Sequence, residues 1–154
     1  VLGNVRTISS NTVNYSSTEK GWVVDLPISG ERSVTNPAAF GSAVFFNTVI
    51  PSVSSSNMCS AGGSGWLMAV DLLTGGAPAF IPIDVNNDGI FDATDQLSGV
   101  SVVGTESSGV PAESRFISDK RVTADSTGAI NIDNIQSGLP EIPSRMSWTE
   151  LETP

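Results

Sequence analysis

The sequence predicts an all-β fold of short antiparallel strands, and three observations carry that prediction. Turn formers are abundant: glycine occurs 15 times and proline 9 times in 154 residues, with serine and threonine frequent throughout. Helix formers rarely stand in tandem, and no window shows a long apolar stripe of 3.6-residue period. The apolar runs are short and end at turn residues, as at Pro27 and Gly30 or at Thr74, Gly75 and Gly76. Residues 1–154 are read as one β domain with a core of its own. The chain is 39% hydrophobic and 15% charged, too apolar to be disordered by composition.

In chain order, "GWVVDLPISGE" predicts a short, largely buried strand over 22–26 and a turn at Pro27 and Gly30. "SVTNPAAFGSAVFFNTVIP" gives an extended piece, a turn near Phe40 and Gly41, and a strong strand over 43–50. "VSSSNMCSAGGSG" is a loop of small residues. "GWLMAVDLLTGG" repeats the earlier theme, from Trp66 through Asp71 to the turn at Thr74, Gly75 and Gly76. "FIPI" reads as a strand. Residues 97–110, with an apolar centre from Val100 to Val103, fit either a hairpin or a mobile surface loop. "DSTGAINID" places a turn at Ser126 to Gly128 before a short strand, and "RMSWTELE" a last strand carrying Trp148.

Trp22 and Trp66 lie 44 residues apart, inside the roughly 40–50-residue period of propeller blades. Blade-like antiparallel sheets of a partial or modified β-propeller are therefore expected, with two similar hairpins of a sandwich as the alternative. The three tryptophans are read as core anchors rather than as sugar-binding platforms.

Formal net charge is −9 and the isoelectric point is near 4.1, which sets the chain against phosphate backbones and anionic lipid. No nucleic acid partner is expected. No apolar stretch is long enough for a membrane span, and no signal peptide or lipidation motif is seen. The first residue, Val1, suggests a processed protein or an excised domain. With one cysteine and no histidine, the chain can build neither a Cys₂His₂ nor a Cys₄ zinc site, nor a Ser-His-Asp or Cys-His pair. Cys59 is a free thiol or is bonded to a cysteine outside this piece. Neither Lys20 nor Lys120 sits in a helical Ser-x-x-Lys pattern, and in "AGGSGW" Trp66 stands where a nucleophile elbow needs glycine. No enzyme is predicted. Asn14-Tyr15-Ser16 matches a glycosylation sequon.

The most specific local signal is "DVNNDGIFDATD", residues 84–95, which holds four of the sixteen acids. A twelve-residue calcium loop takes oxygens from positions 1, 3, 5, 7, 9 and 12, with glycine at 6. Here those slots are Asp84, Asn86, Asp88, the Ile90 carbonyl, Asp92 and Asp95, with Gly89 sixth. Asp95, shorter than the usual bidentate glutamate, is the weakest ligand, and the strand-like flank sets the loop outside a helix–loop–helix. The alternative is an acidic Asx turn without metal. Four clustered carboxylates argue against it, since at about 5 Å each pair repels by roughly 1–3 kcal/mol. Ca²⁺ is favoured over Mg²⁺, which demands a smaller octahedral shell.

Taken together, "KGWVVDLPISGERSVTNPAAFGSAVFFNTVIPS", "CSAGGSGWLMAVDLLTGG", "IDVNNDGIFDATD" and "RMSWTELE" resemble, in this order, the C-terminal domain of the PilC/PilY family of type IV pilus biogenesis and tip-associated adhesion proteins. The resemblance implies a modified β-propeller and an exported protein at the cell surface, pilus tip or outer membrane of a Gram-negative bacterium. It implies calcium at Asp84, Asn86, Asp88, Ile90 and Asp92, with occupancy favouring pilus extension over retraction; Asp95 falls outside the family's nine-residue motif. Implied partners are minor pilins, the pilus assembly machinery, and host or abiotic surface receptors. The family's propeller is longer than 154 residues, which hold about three blades, so a fragment, a shortened version or one part of an assembly is expected. No Arg-Gly-Asp tripeptide is present. The alternative function is a calcium-stabilised carbohydrate-binding or scaffold module of a secreted protein.

Overall fold

A computed structural model of the chain describes residues 4–52 and 62–140; Cys59, Trp148 and the predicted terminal strand lie outside them. Strands β1 (Val5–Arg6), β2 (Ala38–Phe40), β3 (Ala43–Ser52), β4 (Gly62–Asp71) and β8 (Gly104–Ser107) form a five-stranded sheet in the order β1-β8-β4-β3-β2. Strands β5 (Ile83–Asp84), β9 (Arg115–Ile117), β10 (Lys120–Ala124) and β11 (Ile130–Ile135) form a four-stranded sheet in the order β5-β11-β10-β9. A separate hairpin pairs β6 (Gln96–Leu97) with β7 (Val100–Ser101). Every pairing between these strands is antiparallel, as the sequence predicts. Among the described residues no helix is long and apolar enough to cross a membrane.

The longest ladder joins β3 to β4, from Ala43 opposite Asp71 to Ser52 opposite Gly62. Its aromatic and β-branched residues suit a pleated surface buried on both faces. One face carries Phe45, Leu67 and Ala69, and the other carries Phe46, Trp66 and Met68. The turn between β2 and β3 needs Gly41: its φ is +62°, and a Cβ there would stand 2.1 Å from the Ser137 carbonyl oxygen. Residues 97–110 resolve as the β6–β7 hairpin running on through buried Val102 and Val103 into β8. Ser98 and Gly99 both adopt positive φ, the backbone of a type I′ turn.

The expected strand at 22–26 does not form. The segment is extended, with Val23 facing out at 85% exposure, but it joins no ladder. Side chains hold it instead: Trp22, Val24 and Leu26 line an apolar groove with Val44 and Phe46 of β3. The Trp22 ring lies against Gly75, and its Nε1–H donates to the Leu72 carbonyl at 3.0 Å. The two Trp-to-Asp segments are thus not a structural repeat, because Trp66 sits inside a central strand. Arg6 lies over the Trp66 ring, 3.8 Å from its centroid. The same guanidinium grips Glu31 with two hydrogen bonds, of 2.6 and 2.9 Å, and Glu31 also accepts from the Thr48 hydroxyl at 2.5 Å.

The two sheets meet through Ala43, Phe45, Ala69, Ile83 and Ile135, with Phe40 and Phe116 packed against them. Phe40, Phe45 and Phe116 form an aromatic triangle with centroids 5.4 to 6.3 Å apart, each pair adding about 0.5–1.5 kcal/mol beyond its buried area. Between the sheets lies Arg121 of β10, with no exposed surface. Its Nε–H donates to Asp133 Oδ2 at 2.9 Å, and Nη1–H donates to the Met68 carbonyl of the opposite sheet at 3.4 Å. Nη2 stands 2.8 Å from the same Asp133 oxygen, close enough for charge pairing but off the hydrogen-bond axis. The guanidinium carbon lies 5.6 Å from the Phe45 ring centroid.

Two outcomes follow from these buried charges. Asp133→Ala strands the Arg121 guanidinium and lowers unfolding free energy in urea by about 3–5 kcal/mol, and adding Arg121→Met recovers most of that loss; equal stability of the two variants would refute the pairing. For Glu31, burial raises the carboxyl pKa, but the Arg6 guanidinium, the Thr48 hydroxyl and the Ile28 N–H outweigh it and leave it below the ordinary value. A carboxyl with a depressed folded pKa stabilises fully above its unfolded pKa, about 4.3 for glutamate, and loses that contribution as pH falls through the folded value. Melting measured from pH 6 downward therefore declines through this window, and Glu31→Gln flattens the decline.

Candidate metal-binding loop

The loop at residues 84–95 leaves the four-stranded sheet at its β5 edge. Ile83 turns inward, opposite Ile135, and joins the core. The strand period of two then sends Asp84 to the other face, opposite Asn134. There the loop folds back over Asp84 and leaves it 3% exposed.

From Asp84 the chain makes successive Asx turns. Asp84 Oδ1 accepts the Asp88 N–H at 3.3 Å, and Oδ2 accepts the Gly89 N–H at 2.7 Å. Asn86 Oδ1 takes the Asp88 N–H at 2.9 Å, and Asp88 Oδ1 takes the Ile90 N–H at 2.8 Å. Gly89 has φ +84° with open space where a Cβ would stand, so backbone conformation, not crowding, calls for glycine. An ionised carboxylate offers about four acceptor sites, so these donors leave lone pairs free on Asp84, Asn86 and Asp88.

The return half of the loop is tied differently. Asp92 caps the 3-10 turn Ala93–Asp95, accepting the Thr94 N–H at 2.8 Å and its hydroxyl at 2.7 Å. These two donors, the backbone one foremost, hold the Asp92 carboxyl below the ordinary aspartate value. Asp95 is fully buried. Its Oδ1 accepts the N–H groups of Val85 (2.8 Å) and Asn86 (3.4 Å), and Oδ2 accepts that of Asp92 (3.2 Å). Asp95 thus clasps the two ends of the loop together. The Asn86 carboxamide crosses the loop, donating to Asp88 Oδ2 at 3.0 Å and to Thr94 Oγ1 at 2.7 Å.

The structure therefore gathers Asp84, Asn86 and Asp88 in one run of turns and sets Asp92 and Asp95 on the return. Ile90 is 59% exposed and its side chain is aliphatic, so its backbone carbonyl is all it has to offer a cation. Among the described residues no three carboxylate or thiol groups converge closely enough to form a metal cluster by themselves. A cation here needs amide and carbonyl oxygens as well as carboxylates, the mixed hard-oxygen set that calcium takes.

One residue that sequence reasoning missed reaches the loop from the sheet. Asn134 of β11 donates through Nδ2 to Asp84 Oδ2 at 2.7 Å and to Asn87 Oδ1 at 2.9 Å. Its own Oδ1 accepts from the Lys120 ammonium of β10. Asp84 and Asn134 are 50 positions apart, and only the strand pairing joins them.

Of the other residues singled out from sequence, Trp66 is 8% exposed beneath Arg6, a core anchor. Asn14 lies in an exposed turn, its Oδ1 accepting the Ser16 N–H and hydroxyl. A cleft of about 470 Å³ between the sheets is lined in part by Leu67, Thr105, Asn131 and Asp133.

No family model matches the chain. Its sequence is 39% identical over 79 residues to a type IV pilus biogenesis factor PilY1 homolog of Xylella fastidiosa (strain Temecula1 / ATCC 700964), a match covering 48% of this chain and 5% of that protein. A further match to a protein of the same description and organism is 31% identical over 140 residues, 87% of this chain and 11% of that protein. The chain thus spans a small part of these relatives' length. The crystal structure of the Pseudomonas aeruginosa PilY1 C-terminal domain superposes with a TM-score of 0.64 at 22% identity, covering 88% of this chain and 28% of that one. By sequence over most of its length and by its antiparallel, propeller-like fold, the chain belongs to the PilY1 family and resembles the C-terminal domain of that protein.

Proposed function

We propose that this chain is a calcium-binding, non-enzymatic β domain of an exported type IV pilus biogenesis factor. Calcium held by residues 84–95 shapes a surface that engages minor pilins or the assembly machinery, so that occupancy favours pilus extension and attachment. The pilus assignment is supported by the description of the relatives. The observation that carries the calcium reading is the nest of Asx turns, in which Asp84, Asn86 and Asp88 keep free oxygen lone pairs beside Gly89 at φ +84°.

In this reading the side chains of Asp84, Asn86, Asp88 and Asp92 and the Ile90 carbonyl supply oxygens. Asp95 serves first as the clasp that brings the return half of the loop toward Asp84, and its three backbone donors leave it one acceptor site for a cation. A bound divalent cation replaces the mutual repulsion of these carboxylates, roughly 1–3 kcal/mol per pair at about 5 Å, with attraction to a common centre.

Calcium titrated calorimetrically into the chelator-stripped chain gives one-site binding, and Asp88→Ala abolishes it; a flat wild-type titration sinks the calcium reading. At a hundred times its Kd, calcium adds about 2.7 kcal/mol of stability, a rise in melting temperature on the order of 5–10 °C for a domain of this size. In cells, Asp88→Ala and Asp92→Ala in the whole pilus factor reduce the surface pili counted by electron microscopy. Normal piliation without calcium binding would leave the loop a structural staple and remove the switch.

A further inference from the structure

We propose that Asn134, oriented by Lys120, is a positioning residue that sets the calcium affinity of the loop by fixing which oxygen of Asp84 faces the cation. This inference rests on the calcium reading above and adds to it a control point outside the loop.

A carboxamide can present either its oxygen or its nitrogen to a neighbour, and the choice here is forced. The Lys120 ammonium is a donor only, and it donates to the Asn134 Oδ1. Nδ2, with two protons, must therefore point the other way, toward Asp84 Oδ2 at 2.7 Å and Asn87 Oδ1 at 2.9 Å. Both protons are used. Charge on the ammonium polarises the amide and makes Nδ2–H the better donor.

The consequence falls on Asp84. Its Oδ2 takes two short bonds, from Asn134 Nδ2 and the Gly89 N–H, both at 2.7 Å. Its Oδ1 takes only the long contact from the Asp88 N–H at 3.3 Å. Oδ1 is the oxygen with more lone-pair capacity left, its single donor being the Asp88 N–H. Without Asn134 the carboxylate could rotate and exchange its two oxygens. Asn134 also steadies Asn87, the residue at φ 59° that turns the chain between Asn86 and Asp88.

This control comes from the sheet, not from the loop. Asn134 stands opposite Asp84 on one side and opposite Lys120 on the other, so the three residues form one row across β5, β11 and β10. Partners of metal-ligating groups typically carry ten- to a hundred-fold in affinity.

The test uses the 154-residue chain, stripped of metal and titrated with calcium chloride by calorimetry, with melting of the calcium-free protein recorded alongside. Asn134→Leu keeps side-chain volume and removes both donors. Its Kd for calcium rises about ten- to a hundred-fold, while calcium-free melting moves little, because Asp84 keeps its two backbone donors. Asn131→Leu, on the same strand but away from the loop, leaves the Kd unchanged. Unchanged affinity in Asn134→Leu, with or without a lower calcium-free melting temperature, would overturn the positioning role and leave Asn134 a contact of the fold. Absence of binding by the wild-type chain would instead overturn the calcium reading, and this inference with it.

Discussion

The burial of Arg121 between the two sheets is the constraint on which the other contacts depend. A guanidinium without solvent is tolerable only when its charge is matched and its protons find acceptors. Asp133 on the neighbouring strand supplies the charge, and the Met68 carbonyl on the opposite sheet supplies an acceptor. The Phe45 ring fills the space alongside. These partners come from three strands and both sheets, so the guanidinium is satisfied only when the sheets lie at one separation and one offset. An apolar side chain would tolerate sliding. The aromatic triangle supplies more of the burial energy, but Arg121 fixes the geometry in which that burial happens.

The same ladder carries that constraint to the loop. In β10 and β11, Arg121 faces Asp133 and the next pair, Lys120 and Asn134, faces the other way. Placing the first pair between the sheets therefore places the second on the outer face, where β5 brings Asp84 opposite Asn134. A slip of one residue would bury Lys120 and expose Arg121, and would also take Asn134 away from the loop. Core and loop are two faces of one register.

How far this was legible in the sequence follows from which contacts are local. The loop was readable because its oxygens fall within twelve residues and each Asx turn spans two to five positions. Strand β3 and the part of β4 from Trp66 to Asp71 were readable from apolar runs bounded by Gly41 and the turn after Asp71, whereas Gly62 to Gly65, read as loop, open β4 opposite Val49 to Ser52. The segment at 22–26 misled because alternation reports which side chains turn inward, not whether the backbone finds a partner. Its tryptophan is held by Gly75 and Leu72, some 50 positions on, and nothing in "GWVVD" encodes that. Arg121, Asp133 and Asn134 were invisible for the same reason. Within "KRVTA" and "NIDNI" they look like ordinary polar residues of a half-exposed strand, and only the pairing assigns one set to the interior and the other to the loop.

The chain handles its negative charge in two ways. Where a carboxylate holds the fold together, a resident cation sits against it: Arg6 on Glu31, Arg121 on Asp133. The loop concentrates Asp84, Asp88, Asp92 and Asp95, yet among the described residues no arginine or lysine forms an ion pair with any of them. Backbone N–H groups, Thr94 and two carboxamides balance them instead. Lys120, the nearest cation in the hydrogen-bond chain, reaches Asp84 only through Asn134. Dipoles can orient a carboxylate but leave its net charge in place. A permanent ion pair in the loop would have stabilised it as firmly as Arg6 stabilises the turn at Glu31, and would have filled the space a divalent ion needs. Hydrogen bonds preserve the loop's shape and leave its net negative charge in place, the condition that the proposed calcium site requires.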